Sequence, residues 1–413
     1  MPGMAPQSET GAESTHRPHS LAADRARIAV IQAQTSDLGL YLNKERSLLQ
    51  DRLDAYTYPV LTLPNEIVSE IFLHFLPVYP VAPHIIGRAS PNVLGLICRK
   101  WRSIALSTPA LWRGITLSLR NGKRLDQKLR LLQNWLQRSG SCLLSISVDG
   151  YTITGAVADA FHREIAAHSA RLEYLRLYSP AHPFPSIITP LPFLRALTMG
   201  AFLQPAVNDA PNTDSLTEAF HTASLLRSVA VAFWQEHYEY TYPWSQLTTF
   251  TALLILPHHC LDILAQASNL INCNVFLDWA RAGVPRTSLG VTLPHLTTLI
   301  LRGGIQDEEW KFLDAFTLPV LQDFEVRESL LQDDPIGLLK SLISRSGCSI
   351  RKLYVTESSL SRQFYRAALP MVGSVISGEM GADIVNAFRI PLDEEDEESL
   401  DNHSKRVPER LRT

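Results

Sequence analysis

Apolar and polar positions follow a helical period over a long stretch near the start of the chain. Between residues 28 and 56 the apolar side chains recur at steps that mostly alternate between three and four, and Thr35 and Glu45 fill two positions of the same seam. This spacing predicts an amphipathic, coiled-coil-like helix over residues 21–58. A lone helix is marginally stable in water, so the seam is expected to pack either on the chain's own body or on another chain. The seam consists of Ile28, Ile31, Leu38, Leu42, Leu49, Leu53 and Tyr56.

Two shorter helical patterns follow, and prolines separate them. Pro64 is placed just inside a helix start, and the apolar stripe after it comprises Ile67, Ile71 and Phe75. The stretch 78–92 contains three prolines and cannot be one helix. A second helix is predicted after Pro91, with Trp101 among its apolar positions. So small a unit buries only a modest core, so its apolar faces need covering by the rest of the chain or by a partner.

Beyond these helices a shorter pattern recurs, with apolar residues at relative positions 0, 3 and 5. From Leu143 to Ile350 the pattern covers 207 residues in eight steps, about 26 per step, inside the range of leucine-rich repeats. The ten occurrences begin at Trp112, Leu143, Leu172, Leu194, Leu226, Leu247, Leu270, Leu296, Leu321 and Ile350.

Two short words recur in register with this pattern and strengthen it. LPFL, LPHL and LPVL begin at Leu191, Leu293 and Leu318, and RSGSC and RSGCS begin at Arg138 and Arg345. Each unit is therefore predicted to supply a short parallel strand with its apolar residues facing inward, followed by a return segment. Helical return segments are expected at 129–136, 154–167, 262–267 and 336–344. Such units stack into an irregular solenoid.

The residues between the inward positions of each strand are expected to line the concave surface of this array. Aromatic and arginine side chains are the usual anchors of protein recognition. The candidate target-binding residues are Tyr174, Arg176, Tyr178, Phe276, Arg302, Asp323, Glu325, Arg327 and Tyr354.

Composition restricts the possible classes of protein. The 413 residues carry a formal charge of −3, without the basic excess that a nucleic-acid binder normally has. Five cysteines without a CxxC pair argue against a disulfide framework. The chain has no run of 18 apolar residues and its first residues lack a secretory pattern, so we expect no membrane association and a cytoplasmic or nuclear location. Residues 1–20 and the acidic-then-basic tail 391–413 are expected to be disordered.

Motifs for catalysis and metal binding are missing from the sequence. GxSxG, GxxxxGK(S/T), GxGxxG and HExxH do not occur. His258, His259, Cys260 and Cys273 offer zinc-ligand chemistry, but adjacent histidines seldom converge on one ion and Cys273 falls at an inward repeat position. Cys98 could be considered a nucleophile, but no nearby base that would activate its thiol is identifiable. We therefore expect no catalytic residue, no metal and no cofactor.

The helical pair resembles the F-box motif. LPNEIVSEIF, ICRKWRSIAL and PALW match its Leu-Pro start, its amphipathic helix, its (V/I)C(K/R)xW centre and its terminal aromatic residue, here Trp112. A heptad helix followed by TYPVLTLPNEI is similar to the F-box proteins abundant in mushroom-forming (basidiomycete) fungi. The proline-rich stretch 78–91 is longer than the usual F-box linker. The predicted order is thus an α/β chain with a heptad helix, an all-α F-box at 59–117 and a leucine-rich-repeat-like region at 118–390.

The resemblance implies a non-catalytic substrate receptor of a cullin–RING ubiquitin ligase. It would hold a protein target on the repeats and act by proximity, making and breaking no bond itself. A Skp-type adaptor would bind Leu63, Pro64, Ile67, Ile71, Ile97, Cys98 and Trp101. Two other hypotheses stay open: a scaffold that joins proteins without a ligase, and an α/β enzyme, which would require a convergent polar pocket.

Overall fold

The computed structural model describes the chain in ten stretches, and the chain divides into two compact units, Met1–Pro64 and Asn65–Thr413. The predictions of disorder for residues 1–17 and for the tail 391–413 lie outside the described residues. The described residues are 18–55, 59–119, 124–149, 155–178, 190–200, 220, 223–232, 242–277, 290–303 and 312–378.

The first unit contains one long helix, α1, at Pro18–Ala55, and a 3-10 turn at Pro59–Thr62. The 38 residues of α1 span about 57 Å at 1.5 Å per residue. The helix was predicted over residues 21–58, and it begins at Pro18, inside the range expected to be disordered. Among the described residues of its own unit, it has no other α-helix and no strand to pack against.

The second unit begins with helices. These are α2 at Asn65–Phe75, α3 at Leu94–Ile97 and α4 at Arg99–Leu106, with 3-10 turns at Pro91–Val93 and Pro109–Trp112. Phe72 of α2 packs edge-on against Trp101 of α4, with ring centroids 5.0 Å apart. The indole of Trp112 is buried and donates to the carbonyl of Ala105 at 2.8 Å, which ties the end of this helical part to α4.

A large all-parallel sheet follows the helical part in the described second unit, so the α/β class and the parallel strands are confirmed. Eleven strands of the described chain follow one another in sequence order across this sheet. They are β1 (Gly114–Ser118), β2 (Leu144–Asp149), β3 (Leu172–Tyr178), β4 (Ala196–Gly200), β5 (Ser228–Ala232), β6 (Thr249–Ile255), β7 (Asn272–Leu277), β9 (Thr298–Gly303), β11 (Asp323–Arg327), β12 (Lys352–Thr356) and β13 (Ser374–Gly378). Two short strands, β8 (Val291–Thr292) and β10 (Phe316–Thr317), pair separately.

Helices return the chain between several of these strands, as parallel pairing requires. The four predicted helical returns are present, each with somewhat different ends, and a fifth was not predicted. They are α5 (Leu125–Arg138), α6 (Gly155–Ala166), α7 (Pro257–Gln266), α8 (Pro335–Ser346) and the unpredicted α9 (Arg362–Ala368).

The core of the sheet consists of two rows of side chains that run across all the strands. The first row begins with Ile115 and Ile146 on β1 and β2, and continues strand by strand to Val375 on β13. The second row begins with Leu117 and contains mostly aliphatic residues, but it ends at Ser377. These rows are positions 3 and 5 of the sequence pattern, which identified their members on every strand of the sheet except β13.

Candidate docking surfaces

Helix α2 divides its apolar residues between two sides. Val68 and Phe72 are buried against the rest of the helical part. Ile67, Ile71 and Phe75 recur at every fourth residue and therefore share another side of the helix. About half of the side chain of Ile67 and of Ile71 remains exposed (50% and 46%), and Phe75 is exposed as well. The apolar stripe is thus wider than the contact it makes inside the chain.

The α3–α4 junction presents a second exposed apolar group. Leu96 and Ile97 are exposed at the end of α3 (50% and 57%). Cys98 breaks the helix with extended backbone, and its Sγ accepts a hydrogen bond from the N–H of Trp101 at 3.4 Å, so it caps α4. Trp101 is half-buried. We call the exposed residues of these two elements the helical patch: Ile67, Ile71, Phe75, Leu96 and Ile97.

The seven proposed adaptor contacts differ in their exposure and in the unit to which they belong. Leu63 is half-buried and Pro64 is exposed, and both belong to the first unit. Ile67, Ile71 and Ile97 lie in the helical patch. Cys98 and Trp101 are half-buried in the second unit: Cys98 caps α4, and Trp101 packs on Phe72 of α2. Sequence reasoning included Phe75 in the stripe but omitted it from the adaptor contacts, although its fourth-residue spacing marks it.

The proline-rich segment 78–91 packs on the first strands of the sheet. The backbone of Thr116 donates to Pro83 O at 2.7 Å and accepts from the N–H of Ile85 at 3.0 Å. The hydroxyl of Thr116 donates to Ala82 O at 2.8 Å, and the hydroxyl of Ser145 donates to Pro80 O at 2.6 Å. We call residues 79–85 the strut, because they join the helical part to β1 and β2.

Tyr79 extends the strut to β3. Its hydroxyl donates to Glu173 at 2.7 Å, its ring packs edge-on against Tyr174 at 5.5 Å, and the Arg113 guanidinium lies 3.3 Å from its ring centroid. Burial and the hydrogen bond to Glu173 raise the pKa of Tyr79 well above its usual value. The candidate residue Tyr174 is therefore a partner of Tyr79 and contributes little free surface.

Tyr178 covers the outer face of the next strands. Its ring is buried and packs with Ala230, Ala232 and Leu253 of β5 and β6. A Cβ added at Gly200 of β4 would lie 2.4 Å from Cδ1 of Tyr178, so the ring passes directly over this glycine. Tyr178 was expected to project from the concave surface, but small residues on the neighbouring strands let it lie flat and become part of the core.

Charged pairs occupy the outer face further along the sheet. Arg302 is buried, and its Nε and Nη2 both contact Glu325 at 2.7 Å. Arg327 pairs with Glu357. Arg302 was expected to be exposed, and its pairing with Glu325 explains how a charged side chain is tolerated there. The remaining candidates, Arg176, Phe276, Asp323 and Tyr354, are half-buried.

No model of a known protein family matches the chain. No curated protein matches it either. The structure therefore has to support any functional conclusion through its own chemistry. In the described part of the chain, no helix has the length and apolar character needed to cross a membrane.

The zinc hypothesis finds no cluster of ligands among the described residues. Cys260 and Cys273 are buried, and burial raises the pKa of both thiols, so they stay protonated packing groups. Within the described ranges, no three His, Cys, Asp or Glu side chains come together as they would around a metal ion.

A groove of about 530 Å³ runs beside the starts of β6, β7 and β9. Its amides Gln246 and Asn269 donate to the chain's own carbonyls at 2.7 and 2.6 Å.

Sequence reasoning missed one polar cluster, around Glu328. One carboxylate oxygen accepts from the hydroxyls of Ser358 and Tyr365 at 2.7 Å each, and the other accepts from the N–H of Ser359. Burial alone would raise the pKa of Glu328, but these hydrogen bonds outweigh it and lower the pKa to about 2. The cluster ties the chain after β11 to the chain after β12 and to α9. No sequence signal marks it, since its members are 30 and more residues apart.

Proposed function

We propose that this protein is a substrate receptor of a cullin–RING ubiquitin ligase. Its helical part would act as an F-box that binds a Skp-type adaptor, and its parallel strands would form an irregular leucine-rich-repeat-like solenoid that holds a protein target. The chain would make and break no bond, and it would raise the local concentration of a target lysine near the charged ubiquitin carrier.

The observation that carries the proposal is the exposure of the helical patch. Ile67, Ile71 and Ile97, which the F-box resemblance assigns to the adaptor, are each about half exposed. The neighbouring Val68 and Phe72 are buried in the chain's own core. Apolar side chains that stay exposed beside buried ones are typical of a binding surface, and this division supports an apolar partner at the helical patch.

On the sheet, the proposal locates the target beyond the first six strands. The strut occupies the outer side of β1 to β3, and Tyr178 lies over β4 and packs with β5 and β6. On the later strands, Ile300, Glu325, Tyr354 and Ile376 form one row in direct register and are half-buried or exposed. Mixed apolar and charged side chains of this kind suit a protein surface better than a small molecule.

The test measures binding of the full chain to a purified Skp-type adaptor. Ile71→Asp and Ile97→Asp are expected to weaken binding at least tenfold, because each puts a charge into the proposed contact. Ile271→Asp is the matched control: this isoleucine is similarly exposed (41%) but lies beside β7. Equal binding by Ile71→Asp and Ile271→Asp, or no binding by the wild type, would contradict the proposal.

A scaffold without ligase function is the second candidate, and the exposed seam of α1 favours it. Ile28, Ile31 and Leu38 are each more than half exposed, as expected of a helix that joins chains. The two candidates differ in what happens to a bound protein. A receptor variant that cannot bind the adaptor should let its partners accumulate, whereas loss of a scaffold should leave partner levels unchanged.

A further inference from the structure

The long helix α1 presents an apolar seam that no other α-helix or strand covers among the described residues of its unit. Five seam residues are each more than half exposed: Ile28, Ile31, Leu38, Leu42 and Leu49. The seam steps by three and four residues, which is the period that lets two helices stay in contact along their length. Since an isolated helix of this kind gains little stability in water, a second helix is needed to cover it.

We propose that α1 pairs with α1 of a second copy of this chain as an antiparallel two-stranded coiled coil. A second copy carries the same seam length and spacing, so the two surfaces match over the central part of the helix, between Ile31 and Leu49. A two-fold dimer of this kind uses one patch twice and closes on itself. The pairing is independent of the proposed function, because both a ligase receptor and a scaffold can be dimeric.

The polar seam residues select the antiparallel direction. In a parallel pair every seam residue faces its own copy, so Glu45 would face Glu45 and two carboxylates would repel inside the seam. In the antiparallel pair, facing positions have numbers that sum to 80. Glu45 then faces Thr35, which removes the like-charge contact.

The same register matches the apolar residues to one another. Leu38 faces Leu42, and Ile31 faces Leu49 of the second copy. A shift by one heptad in either direction would instead place Glu45 against Ile28 or against Leu42. The register that pairs Glu45 with Thr35 therefore keeps polar with polar and apolar with apolar between residues 31 and 49, whereas Ile28 faces Arg52 beyond that stretch. Thr35 already bonds its hydroxyl to Ile31 O at 2.8 Å, so this hydroxyl enters the seam with its hydrogen bond satisfied.

Gly39 lies next to the centre of this antiparallel pairing and supports the register. Glycine inside a helix costs about 1 kcal/mol relative to alanine. A Cβ at Gly39 would meet no atom of this chain within 4 Å, so packing inside the chain does not require glycine there. In the antiparallel pair, Gly39 lies at the edge of the contact beside the Leu38–Leu42 pairs, and its missing side chain lets the two helices approach closely there.

Light scattering on the full chain tests the pairing. The wild type is expected to have the mass of a dimer at micromolar concentration, and Leu38→Asp combined with Leu42→Asp to have the mass of a monomer. Leu40→Asp is the matched control, because Leu40 is the most exposed of these leucines (70%) and points away from the seam. It should stay dimeric, and circular dichroism should show an unchanged second unit in all three. A monomeric wild type, or dissociation by Leu40→Asp alone, would overturn the proposal.

Disulfide trapping tests the direction. Chains with Ile31→Cys are mixed with chains with Leu49→Cys under mild oxidation, and a covalent dimer is expected only in the mixture. A parallel pair would instead cross-link Leu49→Cys chains to themselves, and this result would overturn the antiparallel register. The wild type serves as the blank for the native thiols, of which Cys98 and Cys142 are half-buried.

Discussion

At the scale of single residues, burial depends on what lies across a strand as well as on which way a side chain points. The alternation of inward and outward positions put Tyr178 and Arg302 on the correct outer face. It could not show that Gly200, Ala230 and Ala232 leave a place for the Tyr178 ring. Nor could it show that Glu325 neutralises Arg302 from a strand about 23 residues later. Both side chains are buried for reasons that only long-range contacts supply.

The Tyr178 ring and Gly200 form a pair whose coupling can be measured. Gly200→Ala should destabilise the fold by about 1–3 kcal/mol, because the new Cβ would overlap the ring. In the background of Tyr178→Ala, the same Gly200→Ala change should cost much less, since the ring is gone. Denaturant unfolding of the four variants measures this difference. Additive effects in that cycle would show that ring and glycine do not meet.

Glu328 predicts a pH-dependent contribution to stability. Its folded pKa of about 2 lies below the unfolded value near 4.3, so its contribution is complete above about pH 4.5 and is lost as the pH falls through 2. Glu328→Gln should cost about 1–3 kcal/mol at pH 7, because it removes the charge and sets an NH2 against the N–H of Ser359. The gap to wild type should shrink below pH 4.5 in denaturant titrations.

Glu70→Gln is the control for this pH dependence. Glu70 lies on the exposed side of α2, where its ion pair with His74 is itself exposed. The Glu70→Gln substitution should change the free energy of unfolding little, both at pH 7 and below pH 4.5. A constant difference between Glu328→Gln and wild type from pH 7 to pH 2.5 would contradict the assignment of the low pKa.

At the scale of elements, the recurring sequence words have clear structural causes. In each LPxL word the fourth residue donates its N–H to the first, as in Leu296 to Leu293 at 3.4 Å, and the proline fits the second position of this turn. In each RSG word the glycine comes just after the end of a helix and adopts a positive φ, which is 55° at Gly140 and 65° at Gly347. The words were predictable because local turns and caps need particular residues.

Other elements left too weak a signal in the sequence. β13 was missed because its second inward position is Ser377, so the three-residue apolar pattern fails there. β8 and β10 have two residues each, shorter than any periodicity can mark. On β2 the expected first position, Leu143, is half-buried and Leu144 is buried instead, because the register shifts between Leu144 and Ser145. Such shifts depend on pairing between strands.

Two phenylalanines on α2 separate core packing from the exposed patch. Phe72 is buried and packs on Trp101, whereas Phe75 is 42% exposed on the patch side. Phe72→Ala should therefore destabilise the fold by about 3–5 kcal/mol. Phe75→Ala should cost under about 1 kcal/mol, since its ring already contacts water. Thermal unfolding of both variants checks this, and similar losses would show that Phe75 belongs to the core.

At the scale of the second unit, the strut makes the helical part and the first strands one body. Residues 79–85 bond to Thr116, Ser145 and Glu173 on three successive strands. Trp112 packs edge-on against Trp135 of α5, with ring centroids 5.0 Å apart. The guanidinium of Arg138 lies over the Trp112 ring, 4.7 Å from its centroid. If the helical patch binds an adaptor and the later strands bind a target, these contacts would hold the two surfaces at a fixed distance.

Tyr79 provides the test of that connection, because it is the strut residue that reaches β3. Tyr79→Ala removes the bond to Glu173, the contact with Tyr174 and the guanidinium stack of Arg113 together. We expect about 2–4 kcal/mol of local destabilisation from losing these contacts. In hydrogen exchange, the amides of Ile85 and Thr116, which bond within the strut contact, should then exchange at least tenfold faster. Amides of β11 and β12 should keep their wild-type rates, because those strands pair far from the strut.

The control is Tyr79→Phe, which keeps the ring contacts and should show a smaller effect. The difference between the two variants therefore separates ring packing from the hydroxyl bond. Unchanged exchange at Thr116 in Tyr79→Ala would mean that the strut does not hold the helical part to the sheet.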